Sequence, residues 1–285
     1  MKYMGLLLAA ATFFGQTSMA AVQENDDYKL VWHDEFDTDG PPNPAYWVFE
    51  EGFVRNHELQ WYQMPNAWCR NGVLTLTARK EERPNPNYNT KSSKWGDQRP
   101  NINYTSASIT TKGKVEFLFG RVEVRARIPA TQGSWPAIWL KGSKYPWPSC
   151  GEIDMMEYYR YKGTPSLLSN VCWGGDNNQS RWNTQAYPFT QFTAKDPTWA
   201  DKFHIWRMDW DKQYIRLYLD DKLLNETPLA KTINAPTSAG ANDNPFETPM
   251  FILLNLAMGS SGGTIDEATL PVNYDIDYVR VYQKL

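Results

Sequence analysis

The sequence predicts an all-β protein, a two-sheet β-sandwich or jelly roll, and three observations carry that prediction. Short runs of alternating apolar and polar residues recur, at 73–78, 120–128, 204–210, 214–219 and 250–256. Alternation puts apolar side chains on one face of a strand and polar ones on the other. Clusters of Gly, Pro, Asn and Asp separate the runs, as turns between short strands require. Neither a sustained helical period nor a tandem repeat competes with this pattern.

Taken in order, the chain begins with a targeting segment. Lys2 precedes an apolar run from Leu6 to Phe14, and Ser18-Met19-Ala20 follows as a small-x-small site. This predicts a secretory signal peptide over residues 1–20, cleavage after Ala20, and a secreted or periplasmic product. The apolar run is too short for a permanent span, and no Cys stands at the cleavage site to take a lipid. Residues 21–27 read as a short polar leader ending at Asp26 and Asp27. Residues 28–285 read as one domain, because strand signals continue to the last residues. No later segment is apolar enough to cross a membrane.

Composition narrows the function. The formal net charge is −3, and −4 once Lys2 is removed, which argues against nucleic acid as a partner. The chain has 13 Trp and 16 Tyr, more large amphipathic rings than a core needs. Such rings suit stacking on the apolar faces of sugars, and they are also common at protein interfaces. Cys69, Cys150 and Cys172 fit no zinc spacing and allow one disulfide at most; free buried thiols are expected. The polar, Asn-rich stretch 84–100 reads as a mobile surface loop.

The stretch with the clearest chemistry is Gly151-Glu152-Ile153-Asp154-Met155-Met156-Glu157-Tyr158-Tyr159. Read as a strand, it points Glu152 and Asp154 the same way. A β-bulge at Met155-Met156 returns Glu157 to that face, and bulges often sit beside active sites. Three carboxylates on one face repel, so a purely structural strand has no use for them. A retaining glycosidase uses two carboxyl groups about 5–5.5 Å apart, one nucleophile and one acid/base. A third acid between them shares a proton and separates their pKa values. A solvated acidic edge strand or a metal site is the other reading of the same residues.

Glu-Ile-Asp-x-x-Glu in a Trp-rich chain resembles the signature of glycoside hydrolase family 16, in the laminarinase-like branch with the bulged motif. The resemblance extends over residues 28–285. It includes Trp32-His33-Asp34-Glu35-Phe36, Thr110-Thr111-Lys112-Gly113-Lys114, Gly120-Arg121-Val122-Glu123 and Gly133-Ser134-Trp135-Pro136-Ala137-Ile138-Trp139. It continues through Asn255-Leu256-Ala257-Met258-Gly259 and Ile276-Asp277-Tyr278-Val279-Arg280-Val281-Tyr282. It implies a jelly roll whose concave sheet carries an open cleft, and a retaining endo-β-glucanase acting on β-1,3- or mixed-linkage β-1,3/1,4-glucan as a monomer. Agar- or carrageenan-type galactans are the alternative substrates, and a non-catalytic carbohydrate-binding module is the alternative function.

The resemblance also assigns residues. Glu152 takes the place of the nucleophile, Glu157 that of the acid/base, and Asp154 lies between them. Asn56, in Asn56-His57-Glu58-Leu59-Gln60, corresponds to a sugar contact at the cleft edge. The same stretch looks like half a zinc-protease motif but lacks the second His. Trp135 and Trp139 read as core residues from spacing alone; the resemblance makes them floor and wall of the subsites. It puts His204, otherwise an ordinary core His, beside the acids. Trp173 and Asn255 are expected to reach the cleft from neighbouring strands. An ion pair between Arg121 and Glu123 is the ordinary reading of those two. Family members often hold a structural Ca²⁺, which here implies Glu35, Gly72 and Asp277. The chain departs from the pattern at Ser108, where many relatives have Arg.

Overall fold

The computed structural model describes residues 27–285; the expected signal peptide and residues 21–26 of the leader lie outside the described residues. The strands in chain order are β1 (Tyr28–Asp34), β2 (Val48–Phe49), β3 (Gln60–Tyr62), β4 (Ala67–Arg70), β5 (Val73–Pro84), β6 (Asn101–Ser106), β7 (Ser108–Thr110), β8 (Gly120–Arg127) and β9 (Ser134–Gly142). They continue as β10 (Glu152–Tyr161), β11 (Thr164–Gly174), β12 (Ser180–Pro188), β13 (His204–Trp210), β14 (Tyr214–Leu219), β15 (Lys222–Pro228), β16 (Met250–Met258) and β17 (Val272–Lys284). The single α-helix among the described residues is one turn, Thr190–Thr193.

Two sheets result, and the chain is the all-β jelly-roll sandwich that the alternation predicts. One sheet has seven strands in the order β12-β11-β10-β9-β16-β7-β2. The other has ten, running β15-β14-β13-β8-β17-β5-β6-β3, with β1 paired to β17 and β4 to β5. The first strand closes on the last, from Tyr28 opposite Lys284 to Asp34 opposite Val279.

The core lies between the sheets and is filled by every second residue of each strand. Val122, Val124 and Ala126 of β8 face Ile138 and Leu140 of β9, Ile153 of β10 and Ile252, Leu254 and Leu256 of β16 in one buried cluster. Trp206, Met208 and Trp210 extend it under β13. Burying one such side chain contributes roughly 1.5–3 kcal/mol, so the alternation itself holds the sheets face to face. β16 is buried at all nine positions. Its second face belongs to a smaller cluster of Ala137, Trp139, Phe251 and Leu253 on the outer side of the seven-stranded sheet. Ala137 and Trp139 of that cluster line the cleft described below.

Three local expectations need correction or completion. Residues 84–100 lie largely at the surface with one internal anchor: Asn85 is buried and its Nδ2 donates to the carbonyls of Gly96 and Arg99 at 2.9 and 2.8 Å. Arg121 pairs with Asp209, not Glu123, at 2.6 Å. Asp209 lies directly opposite Arg121 on β13, and direct cross-strand neighbours are closer than i, i+2 neighbours on one strand. All three cysteines are buried and free.

Candidate active site

The three acids stand on the outer face of the seven-stranded sheet, at its middle strand β10. The registers show how. On β9, Lys141, Trp139 and Ala137 pair with Glu152, Asp154 and Glu157. On β11, Cys172, Asn170 and Leu168 pair with the same three residues. Both neighbours step by two, whereas β10 steps by two and then by three. The register shifts after Asp154 on both sides, so a bulge lies at Met155-Met156. Both methionines are buried in the intersheet core. The extra residue is therefore absorbed inward, and Glu157 emerges on the face of Glu152 and Asp154. Gly151 immediately precedes the strand at φ +78°, a conformation that favours glycine; a Cβ there would meet Phe246 and Pro245 at 3.0 Å.

An open cleft of about 710 Å³ lies over this face. Glu152, Asp154 and Glu157 line it together with Asn56, Trp135, Trp139 and Asn255. Trp135 Nε1 donates to Glu157 Oε1 at 2.9 Å, and Asn170 Nδ2 donates to Glu157 Oε2 at 2.8 Å and Asp154 Oδ2 at 3.2 Å. Trp147 Nε1 donates to Glu152 Oε2 at 3.0 Å. Trp139 Nε1 donates to Asn255 Oδ1 at 2.7 Å, and Asn255 Nδ2 reaches the Tyr62 hydroxyl at 3.1 Å. Asn56 has φ +55°, which Asn tolerates better than most residues, and its Nδ2 donates to Glu58 Oε1 at 3.2 Å.

Burial dominates the electrostatics. It pushes the carboxyl of Glu157 up to about 7; the Trp135 donor works against this and the charge of Glu152 adds to it. Burial raises Glu152 to about 7 as well, opposed by Lys141 and the Trp147 donor. Asp154 is raised well above the usual carboxylate range, first by burial and then by the charges of Glu157 and Glu152. Three acids with too little water hold at least one proton among them near neutral pH. The site can thus present a protonated carboxyl and an ionised one side by side.

Two expected cleft residues lie elsewhere. Trp173 is in the intersheet core: it shares the face of Val171, opposite to Asn170, as period two demands. His204 belongs to the ten-stranded sheet, away from the acids. Its ring stacks on Trp199 at 3.8 Å, with Nδ1 2.6 Å from Asp220 Oδ2 and Nε2 3.0 Å from the Trp199 carbonyl. The reading of it as a satisfied core histidine is the one that holds.

The side chains of the expected cation set have partners of their own. Both oxygens of the Glu35 carboxylate accept from Arg280 at 2.8 Å, and Asp277 Oδ2 accepts from Arg125 at 2.6 Å. Among the described residues no three His, Cys, Asp or Glu side chains gather as a metal site. The carboxylates of Glu35 and Asp277 are ion-pair partners of Arg280 and Arg125. Gly72 does lie beside Glu35, whose carbonyl oxygen would be 4.0 Å from a Cβ built there.

Several residues of the cleft were not singled out in the sequence: Arg55, Glu58, Lys141, Trp147, Asn170 and Trp182. Asn170 had a usable signal, a polar residue inside the apolar run Leu167-Leu168-Ser169-Asn170-Val171. Trp182 had none; it stands on the edge strand β12.

With the geometry in place, comparison with known proteins gives the family. The chain is 32% identical over 275 residues to a β-glucanase of Rhodothermus marinus, covering 90% of this chain and 85% of the relative. The laminarinase catalytic domain of Thermotoga maritima superposes with a TM-score of 0.72 at 31% identity, covering 91% of this chain and 99% of that one. A chain described with the endo-acting O-glycanases that human gut microbiota express to initiate mucin breakdown superposes at 0.79 and 34% identity, covering 91% and 92%. Among the described residues no helix is long and apolar enough to cross a membrane. The model of glycosyl hydrolases family 16 matches residues 55–280, and the chain belongs to that family of glycoside hydrolases.

Proposed function

We propose that this glycoside hydrolase is an exported, endo-acting, retaining β-glucanase that cuts β-1,3- or mixed-linkage β-1,3/1,4-glucan. The observation that carries the reading is the bulged strand, which turns Glu152, Asp154 and Glu157 into one cleft with an aromatic floor. Glu152 attacks the anomeric carbon while Glu157 protonates the leaving oxygen. The covalent glycosyl-enzyme is then hydrolysed by a water that Glu157, now ionised, deprotonates. Asp154, raised by burial and by the charges of Glu157 and Glu152, steers the charge of its neighbours. Trp135 and Asn170 orient Glu157, and Trp147 orients Glu152. Trp135 and Trp139 offer faces for the sugar. An open cleft suits attack within a long chain, and glucan relatives of this fold support the choice of polymer.

A second reading keeps the chemistry and changes the polymer. The likeness to a chain described with endo-acting O-glycanases of mucin breakdown favours mucin O-glycans as the alternative. Incubation with laminarin, barley-type glucan, lichenan, agarose and mucin O-glycans separates the two. NMR of the first product tests the mechanism on whichever polymer is cut: the new reducing end should appear as the β-anomer. The α-anomer appearing first, before mutarotation, refutes the roles given to Glu152 and Glu157.

A further inference from the structure

Arg55 lies in the loop ahead of β3 and lines the cleft. Its guanidinium is held on two sides. Nη2 donates to Glu50, and the same Glu50 oxygen accepts the hydroxyl of Ser108 on β7. The plane lies over the Trp139 ring, 5.2 Å from its centroid, and 5.9 Å from that of Tyr62. Nη1 is buried with no hydrogen-bond partner among the described residues. An unpaired buried cationic N–H costs free energy, and departures of that kind collect at functional sites.

The cleft lining explains a use for that cost. Among the described residues it carries four carboxyl groups, Glu58, Glu152, Asp154 and Glu157, and two cations, Arg55 and Lys141. Beside Glu152 stand Lys141 opposite it on β9, the Cys172 thiol opposite it on β11, Asp154 and Glu157 on its own strand, and the Trp147 indole; Arg55 lines the same cleft, where Glu50 and Glu58 are its nearer charges. Lys141 is a flexible point charge. Arg55 is planar, always charged and clamped.

We propose that Arg55 is a positioning residue of the reaction, a fixed cation that keeps Glu152 in its charged, nucleophilic form while bracing the Trp139 floor. The proposal rests on the reading of Glu152 as the nucleophile. The direction is set by charge: Arg55 opposes proton binding at Glu152, so losing it makes Glu152 harder to ionise.

The test is the pH dependence of kcat/KM for the whole chain, Arg55→Gln and Arg55→Lys, on the polymer found above. Arg55→Gln should move the acid limb to higher pH, the direction that loss of an opposite charge in the cleft gives. Arg55→Lys keeps the charge and should leave the limb near its original position while KM rises. Folded Arg55→Gln with an unmoved limb, or with one equal loss at every pH, overturns the proposal. If Arg55→Gln does not fold, Glu50→Gln with Arg55→Met removes the cation and its buried partner together and carries the same expectation. Labelling with a 2-deoxy-2-fluoro glycoside separates the two readings. Label on any residue other than Glu152 refutes the nucleophile assignment, whereas label on Glu152 with an unmoved limb refutes the role of Arg55 alone.

Discussion

Replacing Trp135 by Phe removes one N–H from the site and leaves an aromatic ring in its place. In the wild-type protein that N–H donates to Glu157 Oε1 at 2.9 Å, and Asn170 supplies a second donor to Oε2 at 2.8 Å. Burial pushes Glu157 up, and the two donors pull it back. A hydrogen bond to a charged group contributes about 1.5–3 kcal/mol, and one to the neutral acid about half of that. The difference between protonation states is therefore about 1 kcal/mol, or roughly 0.7 pKa unit at about 1.36 kcal/mol per unit. The sign follows from which form is favoured. The donor stabilises the carboxylate, so its loss raises the pKa of Glu157. Glu157 acts as the acid, and its deprotonation in the free enzyme forms the basic limb of the kcat/KM profile. That limb should move up by about 0.5–1 pH unit, and KM should rise because the smaller ring offers less stacking area. The assay is initial rate against pH for both proteins, with circular dichroism to show equal folding. A basic limb that stays in place, or moves to lower pH, refutes the reasoning that Trp135 sets the charge of the acid.

Other expectations follow from the same geometry. His204→Ala should lower stability by about 1–3 kcal/mol through lost stacking and hydrogen bonds, with kcat/KM unchanged below the melting transition; a changed pH profile would return His204 to the active site. Glu157→Gln should melt higher than wild type at pH 8 but not at pH 5. The Glu157 carboxyl is raised from 4.5 to about 7 in the folded protein, so its contribution to stability is full below about 4.5 and is lost as pH rises through about 7. Melting curves at the two pH values check this, and equal wild-type and variant curves at pH 8 refute it. Exported protein should begin at Ala21 by mass spectrometry; an intact Met1 on secreted, functional material would remove the export reading.

Much of the molecule was determined locally. Alternation alone yields the strands, because a strand with period two can bury only one face, and the core residues of β8, β9 and β16 follow from it. The acids were legible for the same reason. Their spacing needs one extra residue to share a face, and Met155 and Met156 are apolar enough to be absorbed by the core. The rest depended on which strands became neighbours. Asn170 meets Glu157 because β11 pairs with β10 in one register, and Trp147 and Trp182 reach the cleft from a loop and an edge strand. Trp173 and His204 read as cleft residues, yet the side of the strand and the choice of sheet sent both inward. The carboxylates of Glu35 and Asp277 found their ion-pair partners only in the fold, in arginines on β17 and β8. Residue type and spacing are properties of the chain. Register, sheet membership and the partner nearest to a charge are settled only when distant strands pack.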